Sequence, residues 1–216
     1  MFSDFYNSFY YSSLMFAALM SFFLIGRVEV AFKWLAALVI LTLINELTGY
    51  RINPNSVYHI FTPVEYFFYA TIYRHVLASK KWNKILQMSI WVLFVAAIIN
   101  VLFFQKFQDD PTNTEILESL FLIILALTLF MKIRENIEYK NIFLEGVFWF
   151  NCAVLLYYTY DILLWGLYSL RVYNMQNPPY IINQINLLFS GLLYLVYLIS
   201  ILLNYRNRIK LNRTDD

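Results

Sequence analysis

The sequence is poor in cysteine, histidine and charge. A single cysteine, Cys152, excludes an intramolecular disulfide and any metal site built from several cysteines. Two histidines, His59 and His75, exclude a zinc site that needs three. Charged residues make up only 14% of the chain and the net charge is +2, which is too small to indicate binding to nucleic acid.

The chain is instead rich in long apolar stretches. Hydrophobic residues make up 61% of its 216 residues, whereas a soluble protein is roughly half apolar and a quarter charged. Each stretch is long enough to cross a hydrocarbon core that needs about 20 helical residues. The N-terminus lacks the basic segment of a signal peptide, so the first stretch is predicted to be retained. The sequence predicts an all-α, polytopic membrane bundle that forms one domain over residues 1–216. Its seven transmembrane helices are predicted at about residues 8–26, 32–50, 54–77, 84–105, 112–133, 141–168 and 179–205.

Lysine and arginine residues divide unequally between the two sides of this predicted bundle. The segments after helices one, three and five, together with the C-terminal tail, hold 13 of the 16 basic residues. The opposite side holds only Arg51, Lys106 and Arg171. Because basic residues are retained on the cytoplasmic side, the pattern predicts an outside N-terminus and a cytoplasmic C-terminus.

Ionisable residues occur within the predicted helices, at depths from which a bilayer excludes charge. Glu65 is about eleven residues into helix three, so it lies roughly 16 Å below the start of that helix. A carboxylate at this depth costs several kcal/mol unless it is paired, protonated or hydrated, and it marks a functional site by default. Helices six and seven each carry a polar face, and all these groups are predicted to converge on one outward-facing polar pocket. The predicted ligand-binding residues are Glu65, His59, Asp161, Glu46, Glu118, Asn151, Tyr158, Asn183 and Asn186.

A structural interpretation competes with this one at several positions. Asparagine and tyrosine side chains often form hydrogen bonds between membrane helices, at about 0.6 kcal/mol each, and this favours a packing role for any single Asn or Tyr. For Glu65 and Asp161 a functional site is favoured. His59 is predicted to pair with a glutamate and not to bind a metal, and no cofactor is predicted. Tyr10 and Tyr11 are predicted to belong to an aromatic belt at the membrane surface.

Three segments of the sequence resemble segments of a known set of proteins: NSVYHIFTPVEYFFYATIY, FWFNCAVLLYYTYDILLW and YIINQINLLFSGLLYLVYLI. They resemble a set of small seven-helix integral membrane proteins of Bacteroidota-type bacteria. The resemblance implies a multi-pass protein of the bacterial cytoplasmic (inner) membrane and highlights His59, Thr62 and Glu65. It implies no particular activity. Helix seven lacks the central lysine that a rhodopsin needs for its retinal.

The favoured function is binding of a small ligand or ion in the pocket, for transport or for signalling through the basic cytoplasmic face. Signalling would involve a cytoplasmic protein partner. One alternative is a homo-oligomeric pore or a membrane effector of a bacterial defence system. Another is an intramembrane lipid-modifying enzyme that uses Glu65 and Asp161 as acid and base. Catalysis is the least favoured because no nucleophile stands out, and the lipid bilayer is a partner in every case.

Overall fold

The computed structural model describes residues 2–49, 54–135, 142–169 and 180–214, and no strand occurs among them. Two short 3-10 turns, Ile25–Arg27 and Ile142–Leu144, flank helices, and a wider π turn at Asn100–Phe104 extends the fourth helix. The seven long helices are α1 (Phe2–Leu24), α2 (Val30–Gly49), α3 (Pro54–Leu77), α4 (Lys80–Ile99), α5 (Thr112–Glu135), α6 (Gly146–Ser169) and α7 (Tyr180–Thr214).

The predicted helices all exist, and their ends are where the differences lie. α1 begins earlier than expected, and α7 continues to Thr214, beyond the expected end near residue 205. Both extensions interrupt their apolar residues with polar or charged ones, so a search for apolar runs does not detect them. α6 begins at Gly146 and not near residue 141. The predicted connections at 50–53, 136–141 and 170–179 lie outside the described residues, as do Arg51, Lys140 and Arg171.

Six of the helices are long and apolar enough to cross a membrane. The chain is therefore a helical membrane protein of the multi-pass kind. α3 has a comparable length of 24 residues, but it is not among the six because it carries many polar side chains. The candidate spans are Phe5–Arg27, Val30–Gly49, Lys80–Phe104, Thr112–Glu135, Gly146–Leu164 and Ile182–Lys210.

Six helices form a closed ring, and α4 lies outside it. Around the ring the order is α1, α2, α3, α5, α6 and α7, and α7 packs against α1 to close it. α4 packs against the outer side of α3 and also contacts α5. α3 therefore has neighbours on three sides, which shelters its polar residues from lipid.

A layer of tyrosines on α3 and α7 fills the middle of the ring. Tyr69, Tyr73 and Tyr197 are almost completely buried. The hydroxyl groups of Tyr69 and Tyr197 form a hydrogen bond of 2.7 Å. Tyr73 donates to Asn151 Oδ1, and Asn151 Nδ2 in turn donates to the carbonyl of Ala126. The buried polar groups of this layer thus satisfy one another, as interior groups must. We call the side chains of Tyr69, Tyr73, Asn151 and Tyr197 the tyrosine layer.

The two ends of the bundle differ in charge. One end, which we call the acidic end, holds the starts of α1, α3, α5 and α7, and Lys106 is its only described basic residue. The other, which we call the basic end, holds Arg27, Lys33, Arg74, Lys80, Lys81, Lys84, Lys132, Arg134, Arg206, Arg208 and Lys210.

Candidate functional site

A cavity of about 370 Å³ lies at the acidic end, and every helix of the ring contributes to its wall. Its volume falls within the roughly 300–1,000 Å³ typical of small-molecule sites. No lysine, arginine or histidine is among the described residues that line it. The lining includes six carboxyl groups, those of Glu46, Glu65, Asp110, Glu115, Glu118 and Asp161. We call this space the acidic cavity.

Two carboxyl groups in the wall connect α6 to its neighbours. Tyr158 of α6 donates a hydrogen bond of 3.2 Å to Glu65 Oε1 of α3. Three residues further along α6, and therefore on the same face, Asp161 accepts a bond of 2.7 Å from Ser119 Oγ of α5. Asp161 is only 7% exposed. Both acids thus accept a hydrogen bond from a hydroxyl group on a neighbouring helix.

Glu46 occupies another part of the wall, on α2. Tyr58 of α3 donates a hydrogen bond of 2.5 Å to Glu46 Oε1. Tyr10 of α1 and Tyr194 of α7 lie beside each other with ring centroids 5.9 Å apart, and both line the cavity. Tyrosine rings and hydroxyl groups therefore surround the carboxylate of Glu46.

Three acceptor atoms that line the cavity are buried without a hydrogen-bond partner. They are Glu115 Oε2, Glu118 Oε1 and Asn186 Oδ1. Glu118 is only 3% exposed, so its free oxygen is not simply turned towards bulk solvent. An unsatisfied buried acceptor costs about 1–3 kcal/mol, and more if it is charged. Such atoms beside a cavity can accept hydrogen bonds from water or from a molecule that enters it.

The connection between α4 and α5 covers one side of the acidic cavity and is held by α3. The carbonyl of Asp109 lies 2.9 Å from His59 Nε2, and the His59 ring stacks on Phe107 with centroids 5.4 Å apart. Ser56 Oγ donates to the carbonyl of Phe107. This anchoring places Asp110 in the cavity wall. Burial, together with the neighbouring charge of Asp109, raises the pKa of the Asp110 carboxyl, and His59 acts in the opposite direction.

The prediction that His59 pairs with a glutamate is therefore wrong. Among the hydrogen bonds of the described residues, His59 bonds to a backbone carbonyl and not to a glutamate. The reason is geometric, since His59 and Glu65 are six positions apart and face directions about 120° apart around the helix. His59 points to the connection, whereas Glu65 points into the ring.

The structure brings seven of the nine predicted site residues to the acidic cavity: Glu46, Glu65, Glu118, Tyr158, Asp161, Asn183 and Asn186. Asn151 lies deeper, in the tyrosine layer, and His59 holds the connection. Ligand binding by the seven stays a prediction.

Other residues of the wall differ from the sequence-based expectation. Tyr10 and Tyr11 are predicted to belong to an aromatic belt, but both line the cavity and Tyr10 is only 6% exposed. Glu115, for which the sequence favours an interfacial position and a site equally, lines the cavity one helical turn before Glu118. No sequence signal distinguishes Asp110 from other loop acids.

The acids are spread around the wall and do not form a chelating cluster. Within the described part of the chain, no group of three or more His, Cys, Asp or Glu residues could hold a metal ion. Cys152 is half-buried and does not line the cavity. The wall thus offers several separate carboxyl groups to whatever enters it.

A second cavity, of about 690 Å³, lies towards the basic end between α2, α3 and α4. Its wall includes four large aromatic side chains, Trp34, Phe67, Trp91 and Phe94, and Arg74 and His75 also line it. Trp91 is 68% exposed on the outer surface of the bundle. This crevice therefore faces the membrane, whereas the acidic cavity lies within the ring.

The acidic cavity thus combines six carboxyl groups with three unpaired acceptor atoms, and none of the described residues that line it is basic. No protein-family model matches the chain, and neither a curated protein nor a solved structure is similar to it.

Proposed function

We propose that this protein is a seven-span protein of the bacterial inner membrane that binds a small cation in the acidic cavity, for transport or signalling. In this arrangement the acidic end faces outwards and the basic end faces the cytoplasm, as the distribution of lysine and arginine favours. α3 serves as the seventh span, because its neighbours shelter its polar face. The resemblance to small seven-helix proteins of Bacteroidota-type bacteria supports the same location.

The observation that carries the proposal is the charge of the wall. Six carboxyl groups line the cavity, none of the described lining residues is basic, and Glu118 Oε1 is buried and unpaired. Glu65, Glu115, Glu118 and Asp161 lie close enough to repel one another when charged. A bound cation would offset this repulsion in a setting where solvent screens weakly.

The tyrosine layer favours binding, or transport by alternating access, over an open pore through a single chain. Tyr69, Tyr73 and Tyr197 fill the ring next to the cavity and form hydrogen bonds across it. An ion would have to displace these packed rings to cross. A signalling function would use the exposed basic residues of the opposite end to contact a cytoplasmic protein.

Thermal unfolding of the full chain in lipid nanodiscs tests the proposal. The panel contains sodium, potassium, calcium, guanidinium and alkylammonium chlorides, with sodium salts of several anions as the control for ionic strength. We expect at least one cation to raise the melting temperature. At 100 times its Kd, it should add up to about 2.7 kcal/mol to the free energy of unfolding.

The matched variants are Glu118→Gln, in the cavity, and Glu145→Gln, which is exposed at the basic end. We expect the first to reduce the cation effect by about half, as a roughly tenfold weaker Kd implies, and the second to retain it. If no cation stabilises the wild-type protein, or if both variants respond alike, the proposal is wrong.

A fluorescent protein that matures only in the cytoplasm, fused after the C-terminus, tests the orientation. We expect fluorescence from this fusion and none from the corresponding N-terminal fusion. The opposite result would place the acidic cavity on the cytoplasmic side.

A further inference from the structure

We infer that the cation is a linear diamine or longer polyamine, recognised by carboxylates on opposite walls of the acidic cavity. This inference rests on the proposed function and narrows its ligand to one chemical class. Three independent features of the wall support it.

The first feature is size. The cavity of about 370 Å³ is roughly ten times the share of liquid volume that one water occupies, about 30 Å³. A bare metal ion in such a space would need chelating side chains gathered on one side. The described residues contain no such cluster. The space and the spread of its acids suit an organic molecule better than an inorganic ion.

The second feature is the kind of polar atom left unpaired. Glu115 Oε2, Glu118 Oε1 and Asn186 Oδ1 are all acceptors. A protonated amine brings N–H donors together with charge, and charge-assisted hydrogen bonds are the strongest that a carboxylate forms. A quaternary ammonium ion has the charge but no N–H, so it would leave these acceptors unsatisfied.

The third feature is the placement of the carboxyl groups around the ring. Glu46 belongs to α2, whereas Asp161 belongs to α6. Two helices separate α2 from α6 in either direction around the ring, so these helices lie on opposite sides. Glu115 and Glu118 lie on the α5 wall, next to α6 in the ring, and Glu65 on α3 is linked to α6 by its hydrogen bond from Tyr158. One ammonium group reaches one wall, whereas a molecule with an ammonium at each end reaches both.

Aromatic side chains in the wall can contact the middle of the diamine. Tyr10, Tyr58, Tyr157 and Tyr194 line the cavity beside the carboxyl groups. Their rings can pack against the methylene chain of a diamine, and their faces attract an ammonium group. The wall thus offers carboxylates for the two ends of the ligand and aromatic surface for its middle.

The experiment compares 1,4-diaminobutane with butylamine, which has the same carbon chain and only one amine. Tetramethylammonium and calcium serve as the competing cation classes. Binding is measured by calorimetry on the full chain in nanodiscs. Because the second charged hydrogen bond is made only by the diamine, we expect the diamine to bind about tenfold or more tightly than butylamine.

Two variants test which carboxyl group binds each ammonium group of the diamine. Glu46→Gln is expected to remove the advantage of the diamine and to leave butylamine affinity within about twofold, because one ammonium needs only the opposite wall. Glu118→Gln is expected to weaken both ligands by about tenfold. Retained butylamine binding in Glu46→Gln also reports that the variant is folded.

Equal affinity for the diamine and butylamine, or tighter binding of calcium or tetramethylammonium, overturns this inference and leaves cation binding standing. An absence of binding by every cation overturns the proposed function as well. If Glu46→Gln does not fold, a series of wild-type measurements with diamines of three to eight carbons decides the question. Carboxylates on two walls predict an optimum length, whereas affinity that only rises with length contradicts them.

Discussion

The two ends of the bundle differ in charge and in how closely their helices pack. At the basic end, α6 and α7 approach so closely that a Cβ on Gly146 would lie 2.3 Å from the carbonyl oxygen of Ser200. There Lys132 Nζ donates to the last carbonyls of α3, those of Val76 and Leu77. At the acidic end the same helices separate around a cavity whose carboxylates face one another. The basic end is closely packed and hydrogen-bonded, whereas the acidic end leaves buried acceptor atoms without partners, which costs stability.

The two cavities show that volume alone does not identify a site. The crevice of about 690 Å³ is larger than the acidic cavity, but it opens between helices towards lipid. The acidic cavity is smaller, yet all six ring helices supply its wall. Convergent polar groups within an enclosed ring are the more informative feature.

Tightening the closest helix contact is expected to have the largest effect. In Gly146→Ala the new methyl group meets the backbone of Ser200 and the ring of Phe32, so α6 and α7 must move apart. We expect a loss of about 3 kcal/mol in the free energy of unfolding, the upper range for overpacking. Gly26→Ala is the matched control, because its Cβ would meet no atom within 4 Å. Denaturation in mixed micelles measures both, and equal effects would contradict close packing at the basic end.

Removing a charge from the basic end is expected to destabilise the protein. Lys132→Met removes two charge-assisted hydrogen bonds and a cation from the C-terminus of α3. The expected loss is about 2 kcal/mol. Lys84→Met removes an exposed lysine on α4 and should change stability by less than about 0.5 kcal/mol. Comparable losses in the two variants would show that the cap on α3 contributes little.

Removing a charge from the acidic end is expected to have the opposite sign. Glu118→Gln eliminates a buried, unpaired oxygen charge that neighbouring acids repel, and its new amide can donate to them. Without ligand, we expect a gain of about 1 kcal/mol in the free energy of unfolding. Glu145→Gln, exposed at the basic end, should have almost no effect. A less stable Glu118→Gln variant would mean that this carboxylate is paired in the ligand-free protein.

The smallest effect is expected at the cavity cover. Because the pKa of Asp110 is raised in the folded protein, its ionisation costs stability as the pH rises from the unfolded value of about 3.9. Asp110→Asn should therefore stabilise the protein at pH 7 by less than about 0.5 kcal/mol, since the group is partly exposed. This gain should vanish below pH 3.9, where the carboxyl is neutral in both states. A gain that persists in acid would have another cause.

The sequence could predict the helices and much of the acidic cavity, because both depend on local patterns. Apolar runs locate the helices, and acids within them stand out. Asn151 and Asp161 share one face of α6, but ten residues separate them by about 15 Å along the axis. That distance places Asn151 in the tyrosine layer and Asp161 in the cavity. The polar pattern on one helix face does not reveal which side chains of the neighbouring helices lie at each depth.

Long-range arrangement was beyond the sequence for a different reason. The closure of the ring by contact between α3 and α5, with α4 outside, depends on packing between surfaces that are all apolar. Tyr10 and Tyr11 illustrate the same ambiguity. A tyrosine near a helix end has the same position in sequence whether it faces the membrane surface or an internal wall.

The position of α4 outside the ring has a consequence for biosynthesis. α3 is too polar to partition alone from the translocon into lipid, and only Ala78 and Ser79 separate it from α4. α4 is strongly apolar and covers the outer side of α3. We therefore expect α3 to enter the bilayer together with α4 as a helical hairpin. A chain truncated after α3 should leave that helix uninserted in a translation assay with microsomes or inner-membrane vesicles, whereas a chain extended through α4 should insert both.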